Sequence, residues 1–142
     1  MQTVSHLLRS KGPQFYFVGP TDSVLRAMEI MAEHEVGALL VMNLGSLVGI
    51  ISERDYARKV ILKKRASHDT PVGDIMTAPA VTVTPQDTVH VCMQLMTEGR
   101  FRHLPVVDAG KVVGVVSIGD LVKAVIEEQT AQIEQLERYI AG

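Results

Sequence analysis

The chain has no tryptophan, one cysteine, and only three phenylalanines and three tyrosines among 142 residues. Cys92 has no second cysteine to pair with, so an internal disulfide is excluded and a reducing compartment is the default. So few aromatic rings argue against a stacking platform for single-stranded nucleic acid. Neither acidic nor basic residues are in marked excess, at 16 and 14. The formal net charge of −2 leaves no basic footprint for a nucleic-acid partner. The N-terminus lacks a basic start followed by an apolar run, so no secretory signal is expected. Val36 to Ser52 is uncharged, but Asn43, Gly45 and Ser46 interrupt it with turn chemistry. It reads as strand–turn–strand rather than as a membrane span. No Gly-x-x-x-x-Gly-Lys occurs, which disfavours an ATPase. His90 and Cys92 stand two apart on a helical pattern and cannot face one ion, and the other histidines are scattered, so no metal site is expected. The expectation is a cytoplasmic protein with neither nucleic acid nor membrane as partner.

What the chain has is a repeat. Hydrophobic residues make up 46% and charged residues 21%, enough apolar mass for a folded core. Pro20 matches Pro85 at an offset of 65, and Asp22, Met28, Met31, Leu39, Val41, Gly49, Ser52 and Asp55 match at the same offset. The register holds without a gap from Val18/Val83 to Val60/Val125, with about a third of the aligned positions identical. A duplicated supersecondary unit is the economical explanation.

Each copy predicts the order β-α-β-β-α. A short strand, Phe15 to Val18 or Val81 to Val83, meets a proline, and Asp22 or Asp87 is the N-cap candidate for the helix that follows. Val24, Ala27, Met28 and Met31 share one helical face, as do Val89, Cys92, Met93 and Met96. The methionines read as core filling and Cys92 as a buried, inert thiol. Next come Leu39 to Met42 and Leu47 to Ile51 around Asn43-Leu44-Gly45-Ser46, then Leu104 to Val107 and Val112 to Val116 around Asp108-Ala109-Gly110. Asn or Asp shortly before Gly between β-rich runs is a hairpin signal. A second helix starts from Arg54 or Gly119. The lead-ins Val4 to Leu8 and Val72 to Met76 correspond as well.

The fold class is therefore α/β (α+β), two such repeats packed as one pseudo-symmetric module with a long C-terminal amphipathic helix. The expected divisions are 3–62, a polar linker at 63–71, 72–126, and a helical extension at 127–142. A lone repeat is small for a stable core, so the copies should share an interface, and clefts at such interfaces suit ligands.

Both hairpins end in Gly-x-x-Ser-x-x-Asp: Gly49 to Asp55, and Gly114 to Asp120. Ser-x-x-Asp ahead of an apolar helix is a capping-box pattern, with the aspartate favouring the positive helix end. The same geometry offers an anion seat for a phosphate, and a carboxylate able to accept hydrogen bonds from a ribose diol. The residues leave both readings open, and they are compatible. Neither serine has a histidine beside it in sequence, so no catalytic residue is assigned.

With these marks the chain resembles CBS-domain pairs, also called Bateman modules. The resemblance rests on Val18-Gly19-Pro20-Thr21-Asp22-Ser23-Val24, Val83 to Val89, Leu104-Pro105-Val106-Val107-Asp108 and the two Gly-x-x-Ser-x-x-Asp endings. It covers roughly residues 3 to 126. It implies a non-enzymatic regulatory, energy-sensing module that binds AMP, ADP, ATP or an NAD-type ligand between the repeats, without a catalytic cofactor. Signalling to a regulated protein in trans would follow from a conformational change. It also implies phosphate contacts from Ser52 and Ser117 and ribose contacts from Asp55 and Asp120. An adenine slot would be bounded by Tyr16, Val18, Val36, Gly37 and Ala38 in one copy, and by Val81, Val83 and Phe101 with Arg102 and His103 in the other. Basic residues before Leu-Pro-Val face phosphates in related modules, which points to Arg102 and His103, with Arg54 a third candidate. The first copy has Gly37 and Ala38 there, so two unequal sites are expected. A structural adaptor without ligand and a slow nucleotide-processing enzyme are the alternatives.

Val122, Ile126, Gln129, Ile133, Leu136 and Ile140 step by four and three, a heptad seam. It must bury against the module's own body or a second chain. CBS pairs commonly dimerise through their helices, so a homodimer is expected.

Overall fold

The computed structural model describes residues 2–141. The chain forms two compact units. One is Gln14–Val81, and the other joins the segment ending at Pro13 to everything from Thr82 onward.

In the first unit, β1 (Phe17–Val18) precedes α2 (Val24–His34) and the hairpin of β2 (Ala38–Asn43) and β3 (Ser46–Ser52). The strand order is β1-β2-β3, with β1 parallel to β2 and β2 antiparallel to β3. Leu44 and Gly45 both have positive φ, 51° and 81°, as a two-residue hairpin turn that follows strand twist requires. The second unit repeats this with α5 (Val89–Gly99), β4 (His103–Asp108) and β5 (Lys111–Ser117), and with Ala109 and Gly110 at φ 50° and 81°. The pairing matches residue for residue: Ala38 faces Ser52 and His103 faces Ser117, with an irregularity at the same place in each hairpin.

The copies differ at their first strand. Leu40 donates its N–H to the Tyr16 carbonyl at 3.1 Å, which helps hold β1 in the sheet. Pro105 occupies the equivalent position and has no N–H to give. The strand expected at Val81 to Val83 accordingly shrinks to a single bridge, Val83 to Val106.

The helix caps also depart from the sequence expectation. The N-cap side chains are Ser23 and Thr88, which accept from the amides of Arg26 and Val91. Asp22 and Asp87 stand one residue too early. Their carboxylates turn back and accept from Gly19 and Thr84 at 2.7 and 2.8 Å, bracing the proline turns.

The expected helical faces turn to the cores, with Met28 and Met93 only partly buried at their edges. Val24, Ala27 and Met31 join Leu39, Val41 and Ile51 in one core, while Val89, Cys92 and Met96 join Leu104, Val106 and Val116 in the other. Burial, with the nearby Asp87 charge, pushes the Cys92 thiol up to about 11. The lead-in segments complete the cores. Helix α1 (Val4–Lys11) sends Val4 and Leu7 into the core of the unit built on the second repeat, and α4 (Val72–Ile75) sends Val72 and Ile75 into that built on the first. A lead-in thus serves the hairpin of the other copy.

This packing explains the glycine of each ending. A Cβ on Gly49 would stand 2.9 Å from the Thr77 carbonyl oxygen and 2.8 Å from the Met76 sulfur, whereas one on Gly114 would meet only the Leu8 side chain, at 2.7 Å. A leucine tip can rotate away, but a backbone carbonyl in a bridge to Ile50 cannot. Gly49→Ala should therefore destabilise by about 2–3 kcal/mol and Gly114→Ala by about 1, a difference that thermal or urea unfolding of the two variants would measure.

After β3, α3 (Glu53–Tyr56) passes into a π-helical turn, Ala57–Ile61, where the Leu62 amide bonds the Ala57 carbonyl. After β5, α6 runs unbroken over Ile118–Ala141, through the boundary expected at 126. Leu121 and Ala124 are buried, but Ile126, Ile133, Leu136 and Ile140 are 57–77% exposed, so the seam does not fold back on its own body. No helix among the described residues is long and apolar enough to cross a membrane.

Candidate functional site

Each hairpin delivers its last residue, a serine, to the start of a helix. The chain then turns under control of the residue opposite: the Glu53 amide bonds the Gly37 carbonyl at 3.1 Å, and the Ile118 amide bonds the Arg102 carbonyl at 2.8 Å. Within the turn, serine and aspartate cap each other. Asp55 donates its N–H to Ser52 Oγ at 3.2 Å, and Ser52 N–H donates back to Asp55 Oδ2 at 3.0 Å. Asp120 N–H to Ser117 Oγ at 3.2 Å and Ser117 N–H to Asp120 Oδ2 at 2.8 Å repeat the arrangement. The capping box read from the sequence is present in both copies.

The two carboxylates otherwise live differently. Asp55 is buried, at 9% exposure. Its Oδ2 also accepts from Ser52 Oγ at 3.1 Å. Its Oδ1 accepts from Thr77 Oγ1 at 3.3 Å and pairs with Lys59 Nζ at 3.0 Å. Lys59 in turn donates to the Ile75 carbonyl at 2.9 Å, tying the π-helical turn to α4. Four donors meet a group with about four lone-pair sites, so the Asp55 carboxylate is filled from within.

The Asp120 side chain is 26% exposed. Its Oδ2 takes the Ser117 amide and Lys11 Nζ, the latter at 2.5 Å, while Lys11 also donates to the Val115 carbonyl at 2.8 Å. Among the described residues Oδ1 takes no hydrogen bond. Burial pushes the Asp120 carboxyl up, but the Lys11 and Ser117 contacts outweigh it, and the group stands below its ordinary range. His103, half-buried opposite Ser117, is lowered by burial, by Lys11 and by Arg102 against the opposing pull of Asp120. It is a neutral imidazole at neutral pH, a hydrogen-bonding partner rather than a charge.

Ser52 with Asp55, and Ser117 with Asp120 and His103, are thus brought together. Arg54 and Arg102 are exposed beside them. Val36, Gly37, Ala38 and Phe101 are half-buried and Val81 is exposed. Val18 and Val83 are 3% and 2% exposed, and their side chains lie in the two cores. Tyr16 stacks on His34 with ring centroids 3.9 Å apart. In the other copy the Phe101 ring lies against Gly99, where a Cβ would stand 1.8 Å from it. The aromatic surface near each ending is therefore built from non-equivalent positions.

Three residues at the carboxylates escaped the sequence reading: Lys59, Thr77 and Lys11. Lys59 carried a local signal, since it lies one helical turn beyond Asp55. Thr77 and Lys11 carried none, because each comes from the lead-in that crosses to the other copy's hairpin.

Known proteins share this architecture. A CBSX3 protein of Arabidopsis thaliana, a CBS domain-containing protein named as mitochondrial, is 44% identical over 99% of this chain and 72% of its own. The solved structure of a protein with CBS domains from Burkholderia ambifaria superimposes with a TM-score of 0.87 at 49% identity, covering 90% of this chain and 96% of the other. CBSX2 solved in complex with AMP superimposes with a TM-score of 0.74 at 30% identity, over 91% of this chain and 99% of that one. The CBS domain family model matches residues 4–62 and 72–127, and the chain belongs to the CBS-domain family as a tandem pair.

Proposed function

We propose that this chain is a non-enzymatic regulatory module that binds an adenosine nucleotide, with Ser117, Asp120 and His103 as its principal site. The observation that carries this reading is the Asp120 carboxylate, held ionised, partly exposed, and with Oδ1 unmet by any described residue. A ribose diol is a fitting donor for that oxygen. Ser117 Oγ and the neutral His103 offer hydrogen bonds to a phosphate, and Arg102 adds charge. The AMP complex of CBSX2 supports the ligand class. AMP is the first candidate, with ATP and NAD the longer alternatives in the same class.

Ser52 and Asp55 act chiefly as a structural cap in this reading, because their hydrogen bonds are made within the unit. A ligand there must displace Thr77 or Lys59. This favours one strong site over two equal ones, and it is the observation in favour of the adaptor reading for the first copy. The regulated output is contact with another protein, driven by the difference in ligand affinity between two conformations. Assembly with a second copy belongs to the same reading. A reducing compartment, such as the cytoplasm, suits a chain whose one thiol is buried.

Calorimetric titration of AMP, ATP, NAD and S-adenosylmethionine tests the ligand. One dominant binding event per chain is expected with a nucleotide. No heat and no thermal stabilisation at millimolar ligand would reject the sensing role and leave the adaptor. Turnover of bound ATP or NAD during overnight incubation, seen by chromatography, would reject the non-enzymatic assignment.

A further inference from the structure

The C-terminal half of α6 carries a stripe that nothing in its own chain covers. Ile126, Ile133, Leu136 and Ile140 are 57%, 57%, 60% and 77% exposed. With Val122 and Gln129 they fill the a and d positions of a heptad register, Ile126 being a. An uncovered stripe of this length is a poor end state for a helix in water.

We propose that this stripe pairs with the same stripe of a second copy as an antiparallel two-stranded coiled coil. The proposal gives the self-assembly of the preceding section a place and a direction, and it does not depend on any ligand. Charge and side-chain pattern select the direction. In an antiparallel pair a packs against d, e faces e and g faces g. Ile126 then meets the partner's Leu136, and Ile140 meets the partner's Val122. At the flanks Lys123 faces the partner's Glu137, and two-fold symmetry makes that ion pair twice. Val125, half-buried at the edge of the body, faces the partner's Tyr139, which is 85% exposed in the single chain.

A parallel pair loses these contacts. It sets Gln129 against its own copy at a core d position, and its flanks pair Gln132 with Glu137 and Val125 with Thr130, with no opposite charges. The antiparallel register also places Gln129 beside the partner's Ile133, with its amide free to reach the flank. The occupant is therefore a second copy of this chain, whose seam is self-complementary in one direction only.

Disulfide trapping in the full chain tests both the occupant and the direction. Ile126→Cys and Leu136→Cys are made separately. Both positions are exposed, so the fold is kept, and the buried Cys92 does not compete. The expected result is that an oxidised mixture of the two variants gives a covalent dimer while neither variant alone does. Cross-linking of each variant with itself would establish a parallel pair and overturn the proposal. No cross-link in any sample would overturn it too, even if the chain sediments as a dimer through other surfaces. Charge reversal is the independent check. Lys123→Glu or Glu137→Lys alone should weaken self-association about tenfold through two like-charge contacts, and the double variant should restore it. An unchanged association constant in both single variants would count against the register.

Discussion

Replacing Asp120 by alanine is expected to weaken adenosine-nucleotide binding by about 10- to 100-fold, the equivalent of losing charge-assisted hydrogen bonds worth about 1.5–3 kcal/mol. The carboxylate is positioned for this role before any ligand arrives. Ser117 N–H and Lys11 both hold Oδ2, and the side chain keeps 26% of its surface exposed. The loss should appear in titrations of AMP as weaker binding with unchanged stoichiometry. Folding should suffer only modestly, because the side chain is partly exposed and Lys11 can return to solvent. The control is Lys11→Met. It removes one of the two contacts that hold Oδ2, yet leaves Asp120 and its Ser117 cap in place. If Asp120→Ala binds nucleotide as tightly as the parent chain, the ribose role is wrong and the Ser117–Asp120 pair is a cap alone.

Asp55→Ala should behave differently, with its main effect on stability. The substitution leaves the Ser52 amide, Ser52 Oγ, Thr77 Oγ1 and Lys59 Nζ without their shared acceptor. Lys59 is 44% exposed and can turn to water, so its share is small. The rest lie in a partly buried turn where unmet donors are costly. A loss of about 2–4 kcal/mol is expected, and with it a fall in melting temperature on the order of 10 °C. Nucleotide affinity, measured well below that melting temperature, should change by less than about threefold, or 0.7 kcal/mol. A variant that melts like the parent but loses half of its binding sites would show instead that Asp55 is a ligand group equal to Asp120. Both outcomes are read from the same pair of measurements, thermal unfolding and calorimetry.

The contrast between two aspartates that match in sequence shows where a reading of residues stops. The turn that joins Ser52 to Asp55 spans three residues, and so does that from Ser117 to Asp120. Such contacts form wherever the local pattern occurs, and the cap was legible at both sites. The second donors were not. Lys11 stands 109 residues from Asp120, and Thr77 stands 22 from Asp55. The two lead-ins resemble each other, so nothing in their sequences says which hairpin each will cover. Their chemistry differs, though, and it is what leaves one carboxylate filled and the other partly open.

The chain order alone determined the duplication, the β-α-β-β-α plan, the turns at Leu44-Gly45 and Ala109-Gly110, and the buried helical faces. Each of these depends on contacts within a few residues or on a periodicity that one segment carries by itself. The weaker first strand of the second copy also had its cause in plain view, in the missing N–H of Pro105. The tertiary structure decided the rest. It placed α1 with the second hairpin and α4 with the first, and surrounded Asp55 with donors while leaving Asp120 partly open. It also left the α6 seam uncovered. These outcomes rest on which surfaces meet after the chain has crossed from one copy to the other. A local pattern states what a segment offers, and only packing determines what it meets.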